Sequence, residues 1–300
     1  MSERPRIFDH ALLRLRRRRA AALAAPDFLI RRVADDLAER LAVVMRRFPV
    51  AVDLGTPGGA LVDVLAASGK TDVIVAADAL LPHSPKAGAL AVATEEETLP
   101  FRDQSLDLVV SALSLQLVND LPGVLVQIRR ALKADGLFIA ALAGGDTLTE
   151  LRQAFAAAEA ELEGGVSPRV IPFVDVRGAG ALLQRAGFAL PVADLERLVA
   201  RYDLPIALMH DLRALAATNP MIERSRRPLK RALLERMVDV YREKFSDPDG
   251  RIRATFDIIW LSGWAPHPGQ QKPLRPGSAQ TRLADALGTK EHPAGEKAGR

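Results

Sequence analysis

With 300 residues and a formal net charge of +4, the chain is long enough for one large α/β domain or two modest ones. Hydrophobic residues make up 48% and charged residues 26%, which is ordinary for a globular protein, and no apolar run reaches the roughly 18 to 20 residues that cross a bilayer. The chain has no cysteine, which excludes disulfides, thiolate metal sites and cysteine nucleophiles.

The N-terminal region is predicted to be helical and to belong to the mature fold. Helices are expected over Ala11–Ala25 and Asp27–Arg47. The second has one amphipathic face, with apolar residues three and four positions apart at Leu29, Ile30, Val33, Leu37, Leu41, Val44 and Met45. Glu3 and Asp9 interrupt the arginine-rich start, and no secretory apolar region follows, which argues against a targeting peptide. We therefore expect a cytoplasmic protein with an N-terminal helical extension over residues 1–47.

The stretch FPVAVDLGTPGG, residues 48–59, predicts the first strand and turn of a nucleotide-binding fold. The apolar strand Val50–Val52 runs into Asp53-Leu54-Gly55, and Ala60–Ala67 has the pattern of a following helix. Glycine lets the backbone approach a ligand, and a helix N-terminus offers unpaired N–H groups. Such a turn can also serve only to reverse the chain, so this stretch alone leaves both interpretations open.

Strands and helices then alternate along the chain. Further strands are predicted at Asp72–Asp78, Ala89–Ala93, Leu106–Ser111, Gly136–Ala143, Leu195–Tyr202 and Ile252–Gly263. Further helices are predicted at Leu121–Lys133, Thr147–Glu163 and Val174–Ala186. This alternation predicts an α/β fold with a doubly wound, mostly parallel, seven-stranded sheet.

The main domain is expected to span residues 48–264. A mostly helical insertion, about Leu204–Phe245, separates the last two strands. Those strands should be neighbours, so the insertion must leave the sheet and return, and we expect it to roof the crevice at the strand ends. Residues 265–300 are rich in Pro, Gly, Gln and Lys without periodicity, which predicts a disordered tail.

Acidic residues follow the second and third strands. Asp78 ends the second strand and Glu95 follows the third. In a doubly wound sheet these positions meet at the carboxyl edge, where ligands bind. A carboxylate after strand two can accept both ribose hydroxyl hydrogens, and one after strand three can accept from an adenine amino group. Either acid alone is more often a helix cap or a solvated residue, but their order favours a nucleotide cofactor.

Candidate substrate residues follow strands four and five. These are Asn119, Asp120, Gly145 and Asp146. Each pair is also well placed to cap the helix that follows it. As substrate residues they would form an acidic crevice suited to an arginine-bearing peptide, because carboxylates pair bidentately with guanidinium.

The remaining polar residues indicate no metal site, no catalytic residue and no nucleic-acid partner. None of the five histidines is spaced as a metal-ligand pair, so we expect no metal site, and no catalytic residue stands out. Basic residues cluster at Arg14, Arg16, Arg17, Arg18 and Arg19, and again at Arg224, Arg226, Arg227, Lys230 and Arg231. Such clusters bind phosphates or acidic protein faces, or are simply solvated. Because no nucleic-acid module accompanies them, no nucleic-acid partner is expected.

Residues 48–144 resemble the class I S-adenosylmethionine-dependent methyltransferases. The run Asp53–Gly59 stands where that family has its acidic, glycine-rich first motif, although Pro57 replaces a usual glycine and removes one N–H donor. The resemblance implies S-adenosyl-L-methionine as the cofactor. Its binding residues would be Asp53, Gly55, Gly58, Asp78, Glu95 and Ser111.

A longer series of motifs resembles the methyltransferase-fold assembly factors of respiratory complex I and their alphaproteobacterial relatives. The series comprises Leu99-Pro100-Phe101, Asp107–Ser111, Val118–Pro122, Gly144–Leu148 with Glu150-Leu151-Arg152, Glu163-Gly164-Gly165 with Ser167-Pro168, and Arg185–Phe188. Characterised mitochondrial members are protein arginine hydroxylases that act on a subunit of the complex. The resemblance implies a protein substrate, a complex I subunit, modified by arginine hydroxylation or methylation.

Two alternatives remain open. Gln116-Leu117 stands where those assembly factors have His-Trp, and Ser114–Leu117 also resembles the biotin-pathway methyltransferases, which methylate a carboxyl group on a carrier protein. The other alternative is a non-catalytic assembly chaperone whose cofactor site has degenerated, which is suggested by Pro57.

Overall fold

A computed structural model describes residues 6–23, 27–80, 88–95, 97–271, 278 and 281–290. The chain divides into two compact units, Met1–Pro266 and His267–Arg300. The first unit contains the whole sheet, and the second contains one short helix among its described residues.

Helices and strands alternate through the first unit. The strands are β1 (Val50–Leu54), β2 (Val73–Asp78), β3 (Ala89–Ala93), β4 (Leu106–Ala112), β5 (Leu132–Gly144), β6 (Ala189–Tyr202) and β7 (Ile252–Trp264). The helices are α1 (His10–Ala20), α2 (Phe28–Ala42), α3 (Ala60–Ala67), α4 (Leu121–Ala131), α5 (Thr149–Glu163), α6 (Val176–Ala186), α7 (Pro205–Ala214) and α8 (Arg231–Phe245). The second unit contributes α9 (Leu283–Leu287), and short 3-10 turns lie at Pro57–Gly59 and Leu115–Leu117.

The seven strands follow the order β3-β2-β1-β4-β5-β7-β6. Strands β3, β2, β1, β4 and β5 are parallel, whereas β7 pairs antiparallel with both β5 and β6. The strand order reverses between β1 and β4, which opens a crevice at the carboxyl ends of these two strands. The predicted doubly wound, mostly parallel, seven-stranded α/β fold is confirmed.

Both faces of the sheet are covered by helices, because alternate residues of the central strands point to opposite sides. In β5, Ile139 and Ala141 join one core cluster, and Phe138 and Ala140 join the other. The first cluster includes residues of α2, α3, α5, α7 and α8, and the second includes residues of α4 and α6. The N-terminal extension is therefore part of the fold through α2.

Several boundaries differ from the prediction. Helix α1 ends at Ala20, and the predicted end at Ala25 lies outside the described residues. Helix α2 ends at Ala42 instead of Arg47; beyond its end, Val44 still packs against the core, whereas Met45 is exposed.

Strands β5 and β6 are both longer than predicted. Strand β5 begins at Leu132, so helix α4 ends at Ala131 instead of Lys133, and Asp135, with φ of 64°, lies inside the strand. Strand β6 begins at Ala189 instead of Leu195 because it pairs with β7 along nearly the whole length of both strands.

The insertion is mostly helical, as predicted, with α7 and α8 separated by residues 215–230. The predicted tail contains the five-residue helix α9, and most of its other residues lie outside the described part of the chain. In the ranges that the structure describes, no helix has the length and apolar character needed to cross a membrane.

Candidate functional site

The glycine turn lies at the carboxyl end of β1 and is shaped by three glycines with positive φ, Gly55, Gly58 and Gly59. Gly55 has φ of 69°, and a Cβ at this position would overlap Ser114 Oγ, so glycine is required. Gly58 has φ of 66°, and a Cβ there would meet nothing within 4 Å, so its surroundings are open. Helix α3 follows with Gly59 as its N-cap and no side-chain cap. The turn therefore presents open space and an uncapped helix N-terminus to a ligand.

Hydrogen bonds to β4 hold this turn in place. Thr56 Oγ1 accepts from the Ala112 N–H at 3.0 Å, and Ser111 Oγ donates to the Leu54 carbonyl at 2.7 Å. Ser111 and Asp53 are both buried. Neither lines the cavities described below, and Ser111 instead supports the turn through its bond to Leu54.

Three of the predicted cofactor residues come together beside the turn. Gly55, Asp78 and Glu95 line a small cavity of about 20 Å³, together with Arg17 of α1. Asp78 Oδ1 accepts from the Leu80 N–H at 2.9 Å and from Arg17 Nη1 at 3.3 Å. Arg17 Nη2 also donates to the Gly55 carbonyl at 3.3 Å. An arginine that the sequence analysis assigned only to a basic cluster thus contacts the candidate ribose site.

A larger cavity of about 1260 Å³ adjoins this edge of the sheet. Gly58, Asp78 and Gln116 line the cavity on the side of the strand ends. Residues of the insertion between Met209 and Leu229 line another part of it. The remaining wall is largely apolar and includes Leu148, Leu151, Phe155, Leu212 and Phe256. The insertion and the strand ends therefore enclose one cavity, as expected for a roof over the crevice.

The charge of this cavity differs from the predicted acidic crevice. Among the described residues, its lining includes two aspartates, Asp27 and Asp78, and six arginines: Arg16, Arg17, Arg18, Arg169, Arg213 and Arg224. Burial, followed by repulsion from Arg224, lowers the pKa of Arg16, whose Nη1 donates to the carbonyls of Thr218 and Asn219. The cavity is apolar and cationic, with few carboxylates.

The N-terminal segment bridges two loops next to this cavity, without lining it itself. Asn119 Oδ1 accepts from the N–H groups of Ile7 and Phe8, each at 2.7 Å. On the other side, Phe8 forms an isolated antiparallel bridge with Met221, and the Asp9 N–H donates to the Pro220 carbonyl at 2.9 Å. We call residues 6–9 the N-terminal strap. It joins the loop after β4 to the insertion.

The predicted substrate residues make structural contacts and do not line the cavity. Asn119 binds the strap, and Asp120 caps α4 by accepting from the Gly123 N–H at 2.8 Å. The Gly145 N–H donates to the Val174 carbonyl at 2.9 Å, and the Asp146 carboxylate accepts from Arg197 Nη2 at 2.8 Å. The structure therefore does not bring these four residues together as an acidic site, and their substrate role stays a prediction.

An ion-paired cluster fixes the turn after β5, which borders the cavity at Thr147. Asp257 is buried and accepts from Arg197 Nε at 2.7 Å, Arg197 Nη2 at 2.9 Å and the Asp146 N–H at 3.0 Å. Burial by itself would raise the pKa of Asp257, but these hydrogen bonds outweigh it and hold the pKa below its ordinary value. The same contacts raise the pKa of Arg197.

Comparison with known proteins identifies the family to which the chain belongs. A family model described as a methyltransferase domain matches residues 52–140. The solved structures of Bacillus halodurans BH2331 and Bacillus subtilis YcgJ align with TM-scores of 0.52 and 0.51 at 14% and 15% identity. They cover 77% and 78% of this chain and 98% and 99% of those chains, and at such identity they support the fold alone.

Curated relatives are more similar in sequence. Malonyl-[acyl-carrier protein] O-methyltransferase of Laribacter hongkongensis is 38% identical over 62% of this chain and 60% of its own length. The mitochondrial arginine-hydroxylase NDUFAF5 is 34% identical in Danio rerio, over 93% of this chain and 89% of that protein. The human protein is 38% identical over 93% of this chain and 83% of its own length. Because these matches extend over most of both sequences, the chain belongs to the arginine-hydroxylase NDUFAF5 family, which is built on a methyltransferase domain.

Proposed function

We propose that this protein is an S-adenosylmethionine-binding enzyme that hydroxylates an arginine of a protein substrate during assembly of respiratory complex I. The observation that carries the proposal is similarity to an arginine hydroxylase over 93% of this chain and 89% of the relative. The acyl-carrier-protein methyltransferases match only 62% of the chain or less.

The residues at the carboxyl edge fit the proposed cofactor. The open backbone at Gly58 and the uncapped start of α3 leave room and N–H donors for its amino-acid portion. Asp78 would bind the ribose hydroxyls, and Glu95 would bind the adenine. When bound, S-adenosylmethionine would supply a methyl group activated by a sulfonium, which serves methylation; hydroxylation would instead take its oxygen atom from dioxygen, with two electrons from a reductant as co-substrate.

The larger cavity supports a substrate side chain entering beside the cofactor. Its volume of about 1260 Å³ exceeds the roughly 300 to 1000 Å³ typical of small-molecule pockets, so two groups can share it. The apolar wall would pack against the methylene stem of an arginine. With Asp78 assigned to the ribose, Asp27 is the other described carboxylate in the lining that can pair with the guanidinium.

A carboxyl O-methyltransferase is the second candidate, and the arginines of the cavity favour it. Arg18 and Arg213 are exposed, line the cavity and have no acidic partner among the described residues, so they can bind a carboxylate substrate. The third candidate, a non-catalytic assembly chaperone, is motivated by Pro57, which lacks an N–H donor in the cofactor turn.

Mass spectrometry of complex I subunits from a deletion strain separates these functions. Arginine hydroxylation predicts that one arginine-containing peptide loses an oxygen mass in the deletion strain and regains it with the wild-type gene. Loss of a methylene mass would favour methylation instead. Unmodified subunits together with defective assembly would favour the chaperone. An Asp78→Ala gene is the matched control, and it should fail to restore the modification if the cofactor is needed.

We also propose a cytoplasmic location, whereas the NDUFAF5 relatives are mitochondrial by name. Cell fractionation followed by detection of the untagged protein tests this proposal. Recovery in the cytoplasmic fraction is the expected result, and recovery with organelles or membranes would refute it.

A further inference from the structure

The contact between Arg17 and Asp78 lies inside the candidate nucleoside site. Both side chains are largely withdrawn from solvent, with 13% and 20% of their areas exposed. The guanidinium touches two groups of this site at once, the Asp78 carboxylate and the Gly55 carbonyl. Arg17 therefore occupies space at the edge where the ribose is expected.

This position of Arg17 is fixed by the rest of its helix. One residue earlier, Arg16 donates to the carbonyls of Thr218 and Asn219 at 3.0 and 2.5 Å. The strap before the helix is bonded to Asn119 and Pro220. Helix α1 is thus attached both to the loop after β4 and to the insertion. These contacts hold Arg17 beside the strand ends.

A ribose diol and Arg17 need the same acceptor. A carboxylate that binds both hydroxyls of a ribose uses both of its oxygens, and Asp78 Oδ1 already accepts from Arg17 and from the Leu80 N–H. We propose that Arg17 competes with the ribose for Asp78 and thereby sets the affinity of the nucleoside site. This inference rests on the proposed cofactor and adds to it a residue that lowers its affinity.

If Arg17 competes with the ribose, the affinity for S-adenosylhomocysteine should change in a defined direction in each variant. Removing the guanidinium frees Asp78, so Arg17→Ala should bind S-adenosylhomocysteine about fivefold more tightly, in line with the strength of a partly exposed ion pair. Arg17→Gln removes the charge but keeps a polar, hydrogen-bonding side chain, and it should show the same gain. Arg19→Ala is the matched control, because Arg19 lies on the same helix and is exposed, but does not line the cavity or contact Asp78.

The salt dependence of the affinity distinguishes this competition from a purely structural role of Arg17. S-adenosylhomocysteine is a zwitterion without net charge, so its own binding depends little on ionic strength. Salt weakens a partly exposed ion pair, so wild-type affinity should increase with salt. The affinity of Arg17→Ala should stay constant over the same range.

Titration calorimetry with S-adenosylhomocysteine on the full-length chain measures both effects, with unfolding temperatures as the check on folding. Tighter binding by both Arg17 variants, unchanged binding by Arg19→Ala and a salt response confined to proteins with Arg17 support the inference. Equal or weaker binding by the folded Arg17 variants overturns it and leaves the cofactor proposal standing. No binding by any variant, Arg17→Ala included, refutes the cofactor and this inference with it.

Discussion

Replacing Arg197 by alanine should destabilise the fold through the buried carboxylate of Asp257. Asp257 is only 2% exposed, and two of its three hydrogen bonds come from Arg197. Removing one partner of a fully buried ion pair costs about 3 to 5 kcal/mol, but the Arg197 side chain is 51% exposed, so water recovers part of this cost. We expect a loss of about 2 kcal/mol in the free energy of unfolding.

The pH dependence of this loss follows from the lowered pKa of Asp257. A carboxyl whose pKa is lower in the folded state stabilises the fold above its unfolded pKa, and this stability disappears as the pH falls through the folded value. The difference between wild type and Arg197→Ala should therefore be constant near neutrality. It should shrink only below the ordinary aspartate pKa of about 3.9.

Urea unfolding at a series of pH values measures this difference. Arg201→Ala is the matched control, because Arg201 lies on the same strand β6 and pairs with the more exposed Asp247 and Asp249. It should lose much less stability than Arg197→Ala, since exposed ion pairs contribute little. Equal losses for the two variants, or a difference that persists in acid, would refute the role assigned to the buried carboxylate.

The remaining predictions concern the cofactor and the partner. Asp78→Ala should weaken S-adenosylhomocysteine binding about tenfold, or about 1.4 kcal/mol, and equal calorimetric affinities would exclude the ribose assignment. Pro57→Gly should tighten that binding by restoring an N–H donor; a lower unfolding temperature without tighter binding would mean that the turn is built around proline. Replacing Arg226, Arg227 and Lys230 with alanine should reduce capture of the protein partner, most strongly at low salt, without changing cofactor affinity. Unchanged capture in a pull-down by the folded variant would leave these residues as a solvated surface.

Most of the sheet was predictable because buried strands have a continuous apolar pattern. Strands such as Leu106–Ala112 are buried on both faces. The edge strand β6 was harder to delimit, since its burial alternates and residues such as Leu190 and Val192 are exposed. The start of β6 depends on pairing with β7, a contact between residues far apart in the chain.

The candidate cofactor residues at the carboxyl edge of the sheet were predictable from strand order. The side chains that other parts of the chain contribute to the cavities were not. Gly55, Asp78 and Glu95 lie together because successive parallel strands end at one edge. Arg17 could not be separated from Arg18 and Arg19, because a run of five basic positions does not reveal which side chain points inward. A signal was available in the helical pattern, since Leu13 and Ala20 are the buried positions of α1 and Arg17 lies one turn from each.

The N-terminal strap has a consequence for the order of binding. One short backbone segment is hydrogen-bonded to Asn119 on one side and to residues 220–222 on the other. Helix α1 cannot swing away from the strand ends without pulling on the insertion, so the two walls of the cavity must move as a linked pair. Entry of the nucleoside and entry of the substrate side chain would then require the same opening movement. Whichever molecule binds first would fix how far the cavity can open for the second.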